Sequence, residues 1–239
     1  MPGVISWGSK RKLTIALFRI LAASLIPLCI LVGRYLVAQP LRKMEELDTS
    51  YLVPGYVESY SLWVMPKGKT AEILRKEIKT LSAAYPPAPD FEPHVTLLPD
   101  IKIPGQDVIA KAKELASALQ PYYVSFQNIS RGSVYFQCVY LLCVKNEGTI
   151  HAGDVARKVY SMDTPPYMPH LSLLYSDIPA ESRDLAAGQA HKRLYGEGSN
   201  YDTLLAETGF TVDSIAVWYT PIEDKSTASW RKIAVVPIV

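Results

Sequence analysis

The sequence predicts an α+β fold with mainly antiparallel sheets. Apolar residues alternate with polar ones in some short runs and recur at helical spacing in others, which indicates that strands and helices are mixed along the chain. Several strand-like runs are separated by short turns, as in hairpins. Of the 239 residues, 49% are hydrophobic and 20% are charged, which is typical of a chain that buries a core.

Seven strands are predicted after residue 58, from runs rich in β-branched and aromatic residues. Pro93 and Pro169 each come directly before a short strand, a place where proline is tolerated. Ser130, Arg131 and Gly132 are expected to join two strands as a hairpin, and the second of these strands is apolar enough for a central position. The predicted strands are 60–65, 94–98, 122–129, 134–144, 170–175, 211–219 and 230–237.

Four helices are predicted between these strands. Thr70 is a suitable N-cap for the first helix. The apolar residues of that helix recur three or four positions apart, at Ile73, Leu74, Ile78 and Leu81. The other predicted helices are 107–119, 153–160 and 180–194.

Residues 1–44 differ in character from the rest of the chain. They include seven basic and no acidic residues, and residues 20–33 are uncharged and mostly apolar. We expect a hydrophobic N-terminal helix that crosses a membrane once, with Arg19 and Arg34 reaching the two interfaces. A mitochondrial presequence is the main alternative, because such segments are also basic and free of acidic residues. A cleaved secretory signal is disfavoured, because no clear small-x-small cleavage site follows Val32. Residues 45–57 are predicted to link this segment to a folded domain at 58–239.

Charge and cysteine content argue against two classes of protein. Outside the N-terminal segment the chain has 18 basic and 23 acidic residues, so the folded part is mildly acidic. Binding of duplex DNA draws on a basic face, and duplex nucleic acid is therefore not an expected partner. Cys29, Cys138 and Cys143 are too few for a disulfide scaffold and are expected to be unpaired thiols.

Two tetrapeptides share one pattern of histidine, apolar residue, hydroxyl residue and apolar residue. They are His94-Val95-Thr96-Leu97 and His170-Leu171-Ser172-Leu173, and each follows a proline at the start of a predicted strand. Residues two apart in a strand share a face, so the histidine and the hydroxyl of each motif point the same way. If the two strands are neighbours, two imidazoles and two hydroxyls line one cleft.

Such a cleft suits the hydrolysis of a cyclic phosphate ester. One neutral imidazole can take a proton from the attacking water, and one imidazolium can protonate the leaving ester oxygen, because the ordinary pKa of histidine is about 6.5. The hydroxyls of Thr96 and Ser172 can donate hydrogen bonds to the non-bridging phosphate oxygens. The two motifs are nearly symmetric, so either histidine can be the base or the acid.

The remaining histidines and glycines indicate no other site. Two motif histidines without a third ligand do not close a zinc site, and we expect no metal and no cofactor. His151 and His191 have no paired spacing and are expected to be exposed. The chain has no phosphate-binding glycine loop and no Gly-x-Ser-x-Gly elbow.

At these motifs the chain resembles the two-histidine (2H) phosphoesterase superfamily, and in particular the cyclic phosphodiesterase branch of plants and fungi. The resemblance extends in order over roughly residues 58–239. The segments that resemble this branch are 60–66 (YSLWVMP), 91–96 (FEPHVT), 135–139 (YFQCV), 166–175 (PYMPHLSLLY) and 223–225 (EDK) with Trp230.

This resemblance implies a bilobal fold in which two pseudo-symmetric lobes of antiparallel sheet and helices surround a central cleft. His94 and His170 correspond to the catalytic pair of the family, and Thr96 and Ser172 to the residues that hold the phosphate. Three aromatic residues correspond to positions that line the groove: Trp63, Phe136 and Tyr175.

The resemblance also implies an activity. Members hydrolyse ADP-ribose 1″,2″-cyclic phosphate to the 1″-phosphate, a step downstream of tRNA splicing, and open nucleoside 2′,3′-cyclic phosphates to 2′-phosphates without a metal. The expected partner is a small cyclic nucleotide or ADP-ribose cyclic phosphate, bound by a monomeric catalytic domain. A substrate from tRNA splicing favours a domain that faces the cytosol from an endomembrane.

Two other functions stay open from the sequence. One is a 2H enzyme that processes RNA ends, which needs a groove for a strand and is disfavoured by the acidic body. The other is a membrane-tethered nucleotide-binding module without turnover, which the intact motifs disfavour.

Overall fold

The computed structural model describes residues 59–196, 205, 209–223 and 225–239. The predicted N-terminal segment, 1–44, and the predicted linker, 45–57, lie outside these residues. All the described residues lie within the range predicted for the folded domain, 58–239.

The predicted localisation needs correction. A single-pass membrane protein requires a long apolar helix. Among the residues that the structure describes, no helix has both the length and the apolar character to cross a membrane. The structure thus gives no support for the predicted membrane span.

Up to residue 191 strands alternate with helices, apart from two consecutive strands at 122–131 and 139–143, and three strands follow. A 3₁₀ turn at Tyr135–Gln137 and a π-helical turn at Lys192–Gly196 complete the regular elements. The helices are α1 (Gly68–Ala84), α2 (Gly105–Ser117), α3 (Glu147–Tyr160) and α4 (Ala180–His191). The strands are β1 (Tyr60–Val64), β2 (Val95–Ile101), β3 (Tyr122–Arg131), β4 (Val139–Cys143), β5 (His170–Leu174), β6 (Gly209–Val212), β7 (Ser214–Tyr219) and β8 (Arg231–Pro237).

All eight strands form one sheet in the order β6-β3-β4-β5-β2-β1-β7-β8, and every neighbouring pair is antiparallel. Only Asp213 separates β6, the first strand in this order, from β7, the seventh. A flat sheet cannot bring these strands within one residue of each other, so the sheet curls. The prediction of an α+β fold with antiparallel pairing is confirmed.

The sheet consists of two four-stranded halves that meet where β2 pairs with β5. The only register pair at this junction is Val95 with Leu171. The half formed by β2-β1-β7-β8 begins with β1-α1-β2-α2, and the other half contains β4-α3-β5-α4, so the same element order occurs twice. Each copy carries a histidine motif on its second strand. This arrangement brings the two motif strands side by side.

The helices pack against the sheet, and two of them contact a strand of the opposite half. Helix α1 packs against β5, and α3 packs against β2, so each contacts the motif strand of the other half. Helix α1 presents Leu74, Ile78 and Leu81 to the core, where all three are fully buried, whereas Ile73, the fourth apolar residue of the predicted spacing, is half-buried. Thr70 is not the N-cap, because the helix begins at Gly68 and Lys67 takes the cap position without a side-chain cap.

Two predicted strands differ from the structure. The predicted strand 134–144 begins at Val139, because residues 135–137 form the 3₁₀ turn. The predicted strand 211–219 is two strands, because the chain changes partners at Asp213: Val212 pairs with Tyr122 of β3, whereas Ser214 pairs with Pro237 of β8.

Candidate active site

The two histidine motifs lie on neighbouring antiparallel strands. His94 comes directly before β2, and His170 is the first residue of β5. The apolar residues of both motifs are buried in the core: Val95, Leu97, Leu171 and Leu173. Because side chains alternate along a strand, the histidines and hydroxyls face the other side of the sheet. The face predicted from the motif pattern is the one that the structure shows.

A cleft of about 220 Å³ opens on this face. It brings together every side chain that the sequence singled out for the site: Trp63, His94, Thr96, Phe136, His170, Ser172 and Tyr175. The cleft thus joins residues that are more than 100 positions apart in the chain.

Both histidine rings are held in the same way. His94 Nδ1 lies 2.6 Å from the carbonyl oxygen of Glu92, and His170 Nδ1 lies 2.9 Å from that of Met168. In each case a proline separates the histidine from its carbonyl partner, and proline restricts the backbone of that short segment. A carbonyl oxygen only accepts, so Nδ1 donates the hydrogen bond. Each Nε2 atom is then left for proton exchange.

Burial favours the neutral form of both rings. It lowers the pKa of His94 to about 3, although the hydrogen bond to the Glu92 carbonyl opposes this shift. A positive charge on His170 lowers the pKa of His94 further. Burial also lowers the pKa of His170, against the opposing effect of the Met168 carbonyl. Protonation of one ring therefore makes protonation of the other less favourable. A pair with one protonated and one neutral ring can supply one acid and one base.

The two motifs differ in the hydrogen bonds that their hydroxyl residues make. Ser172 Oγ donates to the carbonyl oxygen of Phe136 at 3.1 Å, so this hydroxyl must rotate to donate to a phosphate oxygen. The backbone carbonyl of Thr96 accepts a hydrogen bond from the Tyr167 hydroxyl at 3.1 Å, which ties the β2 motif to the segment before β5. The nearly symmetric motifs therefore have unequal surroundings.

The three predicted aromatic residues present different surfaces to the cleft. Trp63 is only 2% exposed and lies against the His94 ring. Tyr175 is 4% exposed and stacks on Phe91, with ring centroids 3.9 Å apart. Phe136 is half-buried, with its ring edge-on to Tyr175. Of the three, Phe136 offers the most ring surface to a ligand.

Sequence reasoning missed a second group of polar residues in the cleft. The hydroxyls of Ser61 and Thr220 form a buried hydrogen bond of 2.7 Å, and both residues line the cleft. Ser61 lies two residues before Trp63 on β1, so strand alternation could have placed it on the same face. Thr220 follows β7 and had no such signal. The other lining residues are Pro99, Gln137, Ile222 and Trp230.

The remaining predictions about titratable residues concern His151, His191 and the cysteines. His151 and His191 are exposed, as predicted. Cys138 and Cys143 are buried free thiols, as predicted, whereas Cys29 lies outside the described residues. Within the part of the chain that the structure describes, no cluster of three or more His, Cys, Asp or Glu side chains could hold a metal ion. The expectation that no metal or cofactor takes part stays a prediction.

The lowered pKa of His94 predicts acid sensitivity of the fold. Unfolding restores the pKa of His94 to its ordinary value near 6.5. Between pH 6.5 and about 3, His94 is therefore protonated in the unfolded chain and neutral in the folded chain. The contribution of neutral His94 to stability is complete above pH 6.5 and falls as the pH drops. For His94→Asn, the decrease in unfolding free energy between pH 7 and pH 5 should be about 2 kcal/mol smaller than for the wild type. Urea denaturation at the two pH values measures this difference, and an unchanged decrease would contradict the assignment.

Comparison with known proteins gives a consistent result. A family profile described as "Cyclic phosphodiesterase-like protein" matches residues 58–237. The "Cyclic phosphodiesterase" of Arabidopsis thaliana is 28% identical over 177 residues, which cover 74% of this chain and 93% of that protein. The "2′,3′-cyclic-nucleotide 3′-phosphodiesterase" of Phaeosphaeria nodorum is 27% identical over 191 residues, which cover 73% of this chain and 96% of that protein.

A similar protein of known structure is LigT of E. coli, solved in complex with 3′-AMP. The superposition covers 77% of this chain and 99% of LigT, with a TM-score of 0.49 and 14% sequence identity.

Proposed function

The chain belongs to the cyclic phosphodiesterase-like family of two-histidine phosphoesterases, and from this premise we propose that it hydrolyses cyclic phosphodiesters in the cleft between His94 and His170. The observation that carries this proposal is the presence of both imidazoles and both motif hydroxyls in one cleft. Each imidazole has Nδ1 bound to a carbonyl oxygen and Nε2 left for proton exchange.

The proposed reaction is a metal-independent displacement at phosphorus. The neutral ring of one histidine takes a proton through Nε2 from a water molecule as the water oxygen bonds to phosphorus. The bond from phosphorus to one ring ester oxygen breaks, and the imidazolium of the other histidine protonates that oxygen. One proton enters the histidine pair and one leaves it. The bound phosphodiester anion favours the protonated ring that burial alone disfavours.

Donor groups around the phosphate support the transition state. The hydroxyls of Thr96 and Ser172 lie in the cleft with the histidines and can donate to the non-bridging oxygens. A cyclic diester carries one negative charge at phosphorus, which two hydroxyls and one imidazolium can balance. Thr96 and Ser172 are therefore proposed to bind the phosphate group.

The proposed substrates are nucleoside 2′,3′-cyclic phosphates, opened to 2′-phosphates, and ADP-ribose 1″,2″-cyclic phosphate, opened to ADP-ribose 1″-phosphate. The names of the relatives support the first class directly. Phe136 is the aromatic residue best placed to stack on a nucleobase, a contact worth about 1–3 kcal/mol. Tyr175 is proposed to support Phe136 through their edge-on ring contact.

The first test is turnover by the purified full chain. We expect hydrolysis of 2′,3′-cyclic AMP to the 2′-phosphate, with the same rate in the presence of EDTA. Loss of turnover with the chelator would contradict the metal-independent mechanism. A preparation of the double variant His94→Ala, His170→Ala controls for contaminating phosphodiesterases.

The same assay separates the alternatives. An RNA-end-processing enzyme would hydrolyse an oligonucleotide with a 2′,3′-cyclic end much faster than the mononucleotide. A nucleotide-binding module would bind 2′,3′-cyclic AMP without releasing product. The placement of two intact motifs in one cleft favours the enzyme over the binding module. The net negative charge of the chain outside its N-terminal segment favours a mononucleotide over a nucleic-acid strand as the substrate.

A further inference from the structure

Trp63 lies between two other aromatic rings. The His94 ring is nearly parallel to it, with centroids 3.5 Å apart and an interplanar angle of 7°. The Trp218 ring is also stacked on it, at 4.3 Å and 26°. Two rings so close to one indole cannot share a face, so His94 and Trp218 cover opposite faces of Trp63.

This arrangement restricts what Trp63 can do. It lines the cleft, but it has no free face on which a nucleobase could stack, and only 2% of its surface is exposed. Trp218 lies behind it and is absent from the cleft lining. Both residues come from strands other than the motif strands, since Trp63 is on β1 and Trp218 on β7. The stack therefore connects His94 to β7, two strands away from β2 in the same half of the sheet.

The two histidines differ in this respect. His170 has the Tyr140 ring beside it at 5.2 Å, inclined by 64°, and no ring among the described residues stacks parallel to it. His94 is the more buried of the two rings. Whether His94 acts as base or as acid, it must carry a second proton, and hence a positive charge, at one stage of turnover. The face of an indole attracts such a cation electrostatically, and tryptophan does so more strongly than other aromatic residues.

We propose that Trp63, backed by Trp218, is a positioning residue that holds the His94 ring and stabilises its protonated form during turnover. This inference rests on the proposed function for the part that His94 plays in turnover. It replaces substrate stacking as the role of Trp63.

The test compares two substitutions of Trp63. Trp63→Leu keeps an apolar side chain beside His94 but removes the aromatic face. Trp63→Phe keeps an aromatic face toward the His94 ring. We expect Trp63→Leu to lower kcat about 10-fold with KM changed less than about threefold, and to move one limb of the kcat pH profile about 0.5–1 unit lower. Trp63→Phe should retain most of kcat and the original limb.

Two further variants separate positioning from general loss of packing. Trp218→Leu leaves the cleft lining intact and should move the same limb in the same direction by a smaller amount. Phe210→Leu is the matched control, because Phe210 is a buried aromatic residue of β6 that does not line the cleft. It should lower the thermal midpoint without moving the pH profile.

Three results would overturn the proposal. A rise in KM of about 10-fold with unchanged kcat would make Trp63 part of the substrate-binding wall. Equal losses for the Leu and Phe variants, with an unmoved pH profile, would leave only a structural role. If Trp63→Leu does not fold, an unmoved profile in Trp218→Leu is sufficient to reject the proposal.

A measurement without turnover keeps this test apart from the test of the proposed function. NMR titration of the His94 ring, with inorganic phosphate as the anion in the cleft, should give a lower pKa in Trp63→Leu than in the wild type. If this difference is found in a protein that hydrolyses no cyclic nucleotide, the proposed function fails and takes the role in turnover with it, whereas the holding of the His94 ring and the stabilisation of its protonated form by Trp63 stand. If turnover is normal and the titrations coincide, the positioning role fails.

Discussion

Replacing His94 or His170 by alanine will lower kcat/KM for a 2′,3′-cyclic nucleotide by roughly 10²–10⁴, the usual contribution of a general acid or base. Each ring has Nδ1 engaged by a backbone carbonyl, so its Nε2 is the position that can exchange a proton with water or with the leaving oxygen. Alanine removes that position. Steady-state kinetics on the purified variants at pH 7 measures the loss.

The two remaining histidines that the structure describes provide matched controls. His151 and His191 are exposed and lie on α3 and α4, away from the cleft lining. Their alanine variants should keep kcat/KM within about twofold of the wild type. The double variant of His94 and His170 should lose less than the product of the two single losses, because residues that act as a unit are not additive. Near-wild-type activity in either cleft variant would reject the mechanism.

The second large effect is on stability. Arg193→Leu will lower the free energy of unfolding by about 2 kcal/mol, below the 3–5 kcal/mol typical of a fully buried ion pair because Arg193 is partly exposed. Arg193 donates to both carboxylate oxygens of Glu77, with three nitrogen–oxygen distances between 2.8 and 3.2 Å. The Glu77 side chain is 4% exposed and that of Arg193 is 37% exposed. Without the guanidinium, a carboxylate of α1 stays buried and unpaired.

Urea denaturation of matched variants tests this prediction. Arg131→Leu removes an exposed pair with Asp184 and should cost clearly less stability than Arg193→Leu, because solvent screens an exposed pair. The double variant Glu77→Leu, Arg193→Leu should recover much of the loss, since it leaves no unpaired charge. If Arg193→Leu costs no more than Arg131→Leu, the pair does not stabilise the fold in the way described.

Several parts of the fold could be predicted because their signals are local. The stripe of Leu74, Ile78 and Leu81 depends only on helical spacing, and the structure buries all three. The direction of the motif side chains depends only on strand alternation. The 3₁₀ turn at residues 135–137 had no such signal. Its apolar sequence resembles a strand, but Tyr135 is held outside the β4 ladder by contacts with Ser176 and Lys225.

The break at Asp213 has a similar origin. The residues on both sides have a continuous strand pattern, and both sides are strands. The partner changes there because the sheet curls, and curling depends on how all eight strands pair. A single sequence contains no record of that pairing.

The sequence by itself determined the two histidine motifs, the face on which each histidine lies beside its hydroxyl, and the family. The tertiary structure decided which strands became neighbours, and through this it placed Ser61 and Thr220 in the cleft and enclosed Trp63 between His94 and Trp218. The physical reason is that side-chain alternation follows from the backbone of one strand. Register and stacking follow from packing between strands that are distant in the chain.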